Sequence, residues 1–331
     1  MKKKTIIIAE AGVNHNGSFE LARKMIKEAS KIGVDYIKFQ TFSANDLVTG
    51  YAKKPLYAQN KRDNFQLKML KKLEFSKKDF FKIKKICKEN KIGFLSSAFD
   101  INSLNFLKKL NLKFFKVPSG EINNYQYLKH LGKFKKKIIL STGMSNMKEI
   151  SNALEILINN GTKKENIYLL QCNTEYPSPL SDTNLRVLDL FKKKFKLKTG
   201  FSDHTQGIEA SLTAVALGAE IIEKHFTLNK KFIGPDHKAS LDLKEFKQLV
   251  KSIKKVETCL GESYKSLTKS EKKNIKYVRK SLVAKIDIKK GDLFSEKNLT
   301  SKRPATGKSP KLWDNFIGKK AQKNYLKNQQ I

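Results

Sequence analysis

The strongest constraint on the fold is a short apolar run that recurs along the first two thirds of the chain. Eight such runs are rich in β-branched or other apolar residues, and each ends in polar or charged side chains. They are Thr5–Gly12, Tyr36–Phe42, Gly93–Phe99, Phe114–Gly120, Lys137–Gly143, Ile167–Asn173, Lys198–His204 and Ile221–His225. Each run is followed by residues with the apolar spacing of a helix. This alternation predicts an α/β fold, the TIM (β/α)8 barrel, in which functional groups lie at the C-terminal ends of the strands.

Three regions that differ in composition and apolar pattern predict the domain organisation. Residues 1–262 should form the barrel, with a loop and one or two short helices over its mouth between Thr41 and Leu73. Residues 263–274 are polar and are interpreted as an interdomain linker. Residues 275–331 contain short alternating apolar pieces broken by turns, which predicts a small β-rich domain.

The net charge of +37 raises the question of nucleic-acid binding. Only five of the 68 basic residues are arginines, although the planar guanidinium is favoured for recognising phosphates and bases. The lysines are scattered over every predicted helix surface, so we interpret the charge as a solvated lysine-rich exterior. A basic nucleic-acid-binding protein on an inactive barrel stays as the alternative from a different functional class.

The cysteines and the N-terminus exclude some other classes. Cys87, Cys172 and Cys259 lie far apart without a CxxC pair, so neither a disulfide framework nor a cysteine zinc site is indicated. The basic start resembles that of a signal peptide, but the apolar run behind it extends only from Ile6 to Ala9. That run is too short for a signal sequence or a membrane span. We therefore predict a cytoplasmic protein without membrane association.

Histidines at adjacent strand ends predict a metal site. Four of the five histidines, His15, His204, His225 and His237, fall in predicted strand-end loops. His204 and His225 follow neighbouring strands, which would bring their side chains together at the barrel mouth. A pair of imidazoles completed by oxygen ligands suits Mn²⁺, with Zn²⁺ or Fe²⁺ as alternatives.

Lysines inside two predicted strands indicate an anionic substrate. Alternation places Lys38 and Gln40 on one face and Phe39 on the other, and it directs Lys116 inward as well. A lysine facing the barrel interior would be costly without an anionic partner. The run ending at Gly143 precedes a helix whose first turn can offer free N–H groups to an anion.

Nine short motifs occur in order at these strand ends and loops. They are Ala9-Glu-Ala-Gly-Val-Asn-His-Asn-Gly17, Lys38-Phe-Gln-Thr41, Lys116-Val-Pro-Ser-Gly-Glu121, Ser141-Thr-Gly-Met144, Cys172-Asn-Thr-Glu-Tyr-Pro177, Phe201-Ser-Asp-His-Thr205, Glu223-Lys-His-Phe-Thr227, Gly234-Pro-Asp-His237 and Lys302-Arg-Pro304. Together they resemble the sialic acid synthase family, which comprises N-acetylneuraminate synthase and the bacterial synthases of legionaminic and pseudaminic acids. The resemblance spans essentially the whole chain and implies a C-terminal antifreeze-like (SAF) domain.

The resemblance implies a condensing enzyme. Phosphoenolpyruvate would add to an open-chain N-acetylated mannosamine, with water consumed and a nine-carbon 2-keto acid and phosphate released. The first expectation is N-acetylneuraminate from N-acetylmannosamine. The alternative is a legionaminate or pseudaminate from a 2,4-diacetamido-2,4,6-trideoxyhexose. The family also implies a divalent metal, Mn²⁺ before Mg²⁺ or Co²⁺, and a domain-swapped homodimer.

The resemblance further implies roles for individual residues. Glu121 matches the general base that activates water, and Glu10 matches a second active-site carboxylate. His204 and His225 match the metal ligands. The positions that bind phosphoenolpyruvate are Lys38, Lys116, Ser119, Ser141, Ser202 and either Asn173 or Thr174. The sugar-binding positions are Gln40, Tyr176, Asp236 and, contributed by the SAF domain of the partner subunit, Arg303.

Overall fold

A computed structural model describes residues 4–54 and 65–331 of the chain. The chain divides into two compact units, Met1–Gly261 and Glu262–Ile331. No helix of the described residues is long and apolar enough to cross a membrane.

The first unit contains a closed barrel of eight parallel strands in sequential order, with β8 pairing against β1. The strands are β1 (Ile6–Gly12), β2 (Tyr36–Thr41), β3 (Gly93–Ala98), β4 (Phe114–Val117), β5 (Lys137–Ser141), β6 (Ile167–Cys172), β7 (Lys198–Asp203) and β8 (Ile221–His225). All eight predicted runs form strands, and the predicted TIM barrel is confirmed.

Helices follow the strands and, apart from the two short helices after β2, pack their apolar faces on the outside of the barrel. They are α1 (Phe19–Ile32), α2 (Ala44–Leu47), α3 (Gln66–Leu73), α4 (Lys77–Glu89), α5 (Ile101–Lys109), α6 (Tyr125–Gly132), α7 (Met147–Asn159), α8 (Val187–Phe195), α9 (Glu209–Ala216) and α10 (Leu243–Cys259). Local sequence fixes several of their starts. For example, Asn146 and Glu149 cap each other's backbone at the start of α7. Their buried faces and the outward side chains of the strands form the main apolar core.

The interior of the barrel has two layers. Its lower part is apolar and is filled by Ile8, Leu95, Phe114, Ile139, Tyr168, Leu170 and Ile221. Residues two positions further along a strand point to the same face. Accordingly, Glu10 follows Ile8, Lys116 follows Phe114 and Glu223 follows Ile221, and all three charged side chains are buried. The apolar layer thus forms a floor beneath charged groups at the C-terminal ends of the strands.

The segment between Thr41 and Leu73 contains the predicted short helices, α2 and α3. Part of that predicted loop, residues 55–64, lies outside the described residues. The two helices contribute to a small apolar cluster of Val13, Phe42, Ala44, Leu70 and Leu73, with Leu47, Leu67, Met69 and Phe99 packed against it. This cluster extends from the loop after β1 to the region that follows β2.

The second unit has its own small core around an antiparallel pair, β9 (Ser281–Ala284) and β10 (Leu299–Lys302). The predicted linker at 263–274 is only partly a loop, because α11 (Lys269–Val278) begins within it. Thr268 and Glu271 form a capping box at the start of that helix. Residues 269–274 of the predicted linker therefore belong to an exposed helix, which a polar sequence with good capping can form. A last short helix, α12, spans Trp313–Phe316.

Candidate active site

A cavity of about 530 Å³ lies at the C-terminal ends of the barrel strands. Its lining includes twelve of the fifteen residues singled out from the sequence: Glu10, Lys38, Gln40, Lys116, Ser119, Ser141, Thr174, Tyr176, Ser202, His204, His225 and Asp236. The structure therefore brings together side chains from seven of the eight strand ends. Glu121, Asn173 and Arg303 lie elsewhere and are described below.

Two lysines and two carboxylates form a charged cluster at the bottom of the cavity, above the apolar layer. Lys38 Nζ lies 2.9 Å from Glu10 Oε2 and 3.6 Å from Glu223 Oε1, and Lys116 Nζ lies 3.3 Å from the same Glu223 oxygen. Burial raises the pKa of Glu10 to about 7, against the lowering effect of Lys38. Burial would raise the pKa of Glu223 too, but Lys116 and Lys38 outweigh it and lower that pKa. Glu223 is thus the ionised partner of both lysines, while Glu10 holds a proton in part of the population near neutral pH.

Glu223 is a residue of the site that sequence reasoning missed. Its Oε1 accepts a hydrogen bond of 3.1 Å from Ser202 Oγ, and its Oε2 has no hydrogen-bond partner. Strand alternation was the available signal, because Glu223 shares a face with His225. The signal was incomplete, since only the closed barrel shows that Lys38 and Lys116, from β2 and β4, reach the same carboxylate.

His204 and His225 lie side by side at the cavity wall, with ring centroids 5.3 Å apart. His204 Nδ1 donates to the carbonyl of Asn173, which leaves Nε2 for another ligand. His225 Nδ1 is buried without a hydrogen-bond partner and lies 3.8 Å from Asp236 Oδ2. Burial, reinforced by His204, lowers the pKa of His225 well below its usual value, so this imidazole is neutral.

These features suit a divalent cation. A neutral imidazole with an unsatisfied buried nitrogen is the form of histidine that binds metal. Burial raises the pKa of Asp236 to about 6, because the opposing effects of His204 and Lys38 only partly offset it. Among the described residues, no cluster of three or more histidine, cysteine or acidic side chains has metal-binding geometry. The two histidines would therefore leave several positions on the ion for oxygen ligands from substrate or water.

The loop after β6 settles which of two neighbouring residues faces the cavity. Asn173 Oδ1 accepts hydrogen bonds from Glu175 N at 2.7 Å and Ser178 Oγ at 3.1 Å, so its side chain holds the loop together. Thr174 lines the cavity instead. The Tyr176 ring packs on His204 with centroids 4.1 Å apart. Thr174 thus faces the cavity, whereas the backbone carbonyl of Asn173 orients His204.

Small polar side chains lie close to the backbone of Gly143. Gly143 N donates to Ser119 Oγ at 3.0 Å, and Ser141 Oγ nearby in sequence is buried without a hydrogen-bond partner. A β-carbon on Gly143 would lie 2.6 Å from Thr174 Cγ2 and 2.8 Å from Ser119 Oγ. A side chain at this position would displace these neighbours, and the hydroxyls around it offer donors to an anion together with Lys116.

Replacing Gly143 with alanine should weaken anion binding at this cavity. The added methyl group must push Ser119 and Thr174 apart. Loss of one or two hydrogen bonds to a charged group should raise the dissociation constant for inorganic phosphate by at least ~10-fold. Isothermal titration calorimetry measures this directly. Adding Thr174→Ser removes the clashing methyl group and should recover part of the affinity. Unchanged affinity in Gly143→Ala would show that anions bind elsewhere.

Three residues on the other side of the cavity converge around Gly12. A β-carbon on Gly12 would lie 3.4 Å from Glu10 Oε1, 3.5 Å from Gln40 Nε2 and 3.6 Å from Asp236 Oδ2. Gly12 also has a φ of +51°, which favours glycine. The turn after β1 thus brings an amide and two carboxylates together. This arrangement is suited to binding the hydroxyl groups of a ligand. The adjoining wall is apolar and is formed by Val13, Leu47, Met69, Leu70, Leu73 and Phe99.

Besides Asn173, two predicted residues do not line the cavity. Glu121 ends a 3-10 turn, Ser119–Glu121, and its Oε2 accepts a hydrogen bond of 2.7 Å from Asn124 Nδ2. Burial raises the pKa of Glu121, and Asn124 opposes this. Arg303 belongs to the second unit, where it follows β10 and is exposed.

The family model named NeuB family matches residues 25–265, and the model named SAF domain matches residues 279–331. The chain belongs to the NeuB family. The N,N'-diacetyllegionaminic acid synthase of Campylobacter jejuni subsp. jejuni serotype O:2 is 52% identical over 331 residues, covering 99% of both chains. The synthase of the same name from Legionella pneumophila subsp. pneumophila is 39% identical over 96% of this chain and 90% of its own.

A solved structure has the same fold as this chain. The N-acetylneuraminic acid (sialic acid) synthetase from Leptospira borgpetersenii matches with a TM-score of 0.73 and 33% identity, covering 82% of this chain and 90% of its own. The resemblance to the sialic acid synthase family is therefore confirmed. With it, the prediction of an enzyme is confirmed over that of a binding protein on an inactive barrel.

Proposed function

We propose that this NeuB-family enzyme is an N,N'-diacetyllegionaminate synthase. It would condense phosphoenolpyruvate with an open-chain 2,4-diacetamido-2,4,6-trideoxyhexose and water, and release phosphate. Two relatives that match nearly the whole chain, at 52% and 39% identity, carry this name, whereas the N-acetylneuraminic acid synthetase is 33% identical. This reverses the order expected from the sequence, in which N-acetylneuraminate came first and the legionaminate reaction was the alternative.

The apolar wall of the cavity is the observation that supports this choice. N-acetylmannosamine carries hydroxyls at C4 and C6, whereas the proposed substrate carries an acetamido group at C4 and a methyl group at C6. Burying a methyl group against Met69, Leu70 and Phe99 contributes roughly 0.8 kcal/mol, whereas burying a hydroxyl there without a partner costs about 1–3 kcal/mol. A wall of this kind therefore favours the 6-deoxy sugar.

The lysines and small hydroxyl groups of the cavity suit phosphoenolpyruvate. Lys38 and Lys116 provide positive charge, and Ser119, Ser141 and Ser202 provide hydroxyls. In the resting site both lysines are held by Glu223. An anionic substrate would share those lysines with it, so Glu223 would keep them in place before and after each turnover.

The reaction forms one carbon–carbon bond and breaks one bond to phosphate. The methylene carbon of phosphoenolpyruvate attacks the aldehyde carbon, and the aldehyde oxygen becomes a hydroxyl. Glu10, whose pKa is about 7, can hold the proton that this oxygen takes up. Glu121 would take one proton from the water that adds at the former enol carbon. The C–O bond to phosphate then breaks, the new hydroxyl loses its proton to the departing phosphate, and that carbon becomes the ketone. A divalent cation, Mn²⁺ by our proposal with Mg²⁺ or Co²⁺ as alternatives, would be held by His204 and His225 and would polarise the aldehyde oxygen.

The assembly and location of the enzyme are part of the proposal. We place Arg303 of the SAF domain at the N-acetyl group of the substrate in the partner subunit, which requires a domain-swapped homodimer. Sedimentation of the purified protein tests the dimer. Because phosphoenolpyruvate and amino-sugar precursors are cytoplasmic metabolites, we place the enzyme in the cytoplasm.

Phosphate release from phosphoenolpyruvate tests the proposed substrate. The 2,4-diacetamido-2,4,6-trideoxyhexose of manno configuration should support turnover with Mn²⁺, and EDTA should stop it. N-acetylmannosamine should give a kcat/KM lower by ~10–200-fold, the range expected from the mismatch of its C6 hydroxyl with the apolar wall alone. Equal or better turnover with N-acetylmannosamine would contradict the assignment and restore the N-acetylneuraminate reaction.

A variant in the apolar wall localises that preference. Met69→Gln keeps the side-chain length and places an amide against the substrate, so the ratio of kcat/KM for the two sugars should move toward N-acetylmannosamine. Leu67→Gln is the matched control, because Leu67 lies on the same helix and packs in the same apolar cluster without lining the cavity. An equal change in both variants would mean that the wall affects stability and not specificity.

A further inference from the structure

A second ionic pair lies directly behind the two histidines, on the outer face of the barrel. Lys224 Nζ is 2.7 Å from Asp203 Oδ2, and the two side chains are 1% and 0% exposed. Asp203 and Lys224 are opposite each other in the register of β7 and β8. Each immediately precedes a histidine of the cavity, His204 or His225. Because side chains alternate, a pair that points outward is joined by one peptide unit to a pair that points inward.

Both charged groups are saturated with hydrogen bonds. Asp203 Oδ1 accepts from Thr205 N at 2.8 Å and from Thr205 Oγ1 at 2.7 Å, and Oδ2 accepts from Ser211 Oγ at 2.5 Å. Lys224 Nζ also donates to the carbonyl of Thr205 at 2.9 Å. The network therefore fixes the backbone before and after His204, ties it to α9 through Ser211, and fixes the residue before His225.

Stability alone does not explain such a pair. Taking two charges out of water costs about as much as their attraction returns, and apolar residues of similar volume often serve the fold equally well. What a saturated, fully buried network provides is a single geometry. Here that geometry is the relative position of two adjacent strand ends, which carry the two imidazoles whose centroids lie 5.3 Å apart.

We infer that Asp203 and Lys224 are positioning residues that set the separation and orientation of His204 and His225 for a divalent cation. This inference rests on the proposed metal site. Neither residue lines the cavity, and strand alternation directs both side chains to the outer face of the barrel, away from the ion and the substrate. Outer groups that orient metal ligands typically change metal affinity by ~10–100-fold when they are replaced.

Direct Mn²⁺ binding, followed by electron paramagnetic resonance without substrates, tests this inference. The double variant Asp203→Asn/Lys224→Met removes both charges together and keeps the side-chain volumes, so no lone buried charge remains. Its Mn²⁺ dissociation constant should rise ~10–100-fold. Activity should return at saturating Mn²⁺, so the apparent affinity for metal changes and kcat recovers. A purely structural role would not give this recovery.

The control is an ion pair on the same side of the barrel that is partly exposed. Lys230 Nζ lies 2.6 Å from Glu245 Oε2, and Lys230→Met should leave Mn²⁺ affinity unchanged. Ser211→Ala is a milder variant of the network that removes only the bond to Asp203 from α9. It should weaken Mn²⁺ binding a few-fold, and it keeps the test informative where the double variant does not fold.

Two results would overturn the inference, and they differ in whether they also exclude the proposed metal site. Unchanged Mn²⁺ affinity in the folded double variant, or in Ser211→Ala when only that variant folds, would show that the network positions nothing at the site. The proposed metal site would then stand. Absence of Mn²⁺ binding by the unsubstituted protein would remove the metal site and this inference together, while phosphate release in the presence of EDTA would show whether the synthase reaction survives.

Discussion

Replacing His225 with alanine should abolish metal-dependent turnover. The substitution removes the buried imidazole whose Nδ1 has no other partner, and it leaves His204 as the one histidine at the proposed ion. Stabilising the charge that develops on the aldehyde oxygen is worth several kcal/mol, so kcat/KM should fall at least ~10³-fold. Mn²⁺ binding should weaken in parallel. Because burial keeps the pKa of His225 well below its usual value, binding of Mn²⁺ to the unsubstituted enzyme should not require a proton to leave this ring.

The control for this variant is His130→Gln. His130 lies on the outer helix α6 and pairs through Nε2 with Asn105 Oδ1 at 2.8 Å, away from the cavity lining. It should leave both turnover and Mn²⁺ binding unchanged. Circular dichroism and thermal melting of the two variants show whether each is folded. Full activity of His225→Ala at low Mn²⁺ concentration would exclude this residue as a ligand.

The barrel was predictable because local signals and the global fold agree. Ile8 and Glu10, or Ile221 and Glu223, illustrate how one strand encodes both layers of the interior through alternation. Polar residues at the end of each apolar run then indicated which end of the barrel carries the chemistry. Both signals lie within a few consecutive residues, which is the range over which sequence patterns are informative.

The arrangement inside the cavity was less predictable, because it depends on contacts across the barrel. Lys38 and Lys116 lie on strands that are not neighbours, yet both reach Glu223. Alternation also stops at the strand end, so it could not decide between Asn173 and Thr174. Only the turn of the loop after β6 shows that Asn173 binds its own loop and Thr174 lines the cavity.

Replacing Glu121 with glutamine should lower kcat by ~10²–10⁴-fold, because this is the usual effect of losing a general base. Ser119 and Gly120 line the cavity, and the same 3-10 turn ends at Glu121. Affinity for phosphoenolpyruvate should change little, because a base acts in the chemical step and not in substrate binding. Rapid-quench measurement of phosphate release separates the two quantities.

The pH dependence gives the same variant a second, independent readout. The base works as a carboxylate, so activity should fall as pH decreases through its pKa. Burial raises the pKa of Glu121, and the acidic limb of the profile should therefore lie above the ordinary range of a carboxyl group. Glu121→Gln should lack this limb. Asn124→Ala removes a hydrogen bond that lowers the pKa of Glu121, so it should move the limb to higher pH.

Glu10 is the competing base, and one comparison decides between the two carboxylates. Glu10 lines the cavity, lies 2.9 Å from Lys38, and has a pKa raised to about 7. If Glu10 activates the water, Glu10→Gln should remove a limb near pH 7, Glu121→Gln should retain nearly full kcat, and Asn124→Ala should leave the profile unchanged. If Glu121 is the base, Asn124→Ala should shift the acidic limb of the pH profile whether position 10 carries glutamate or glutamine. The shift depends on the hydrogen bond between Asn124 and Glu121, which no contact of Glu10 can reproduce.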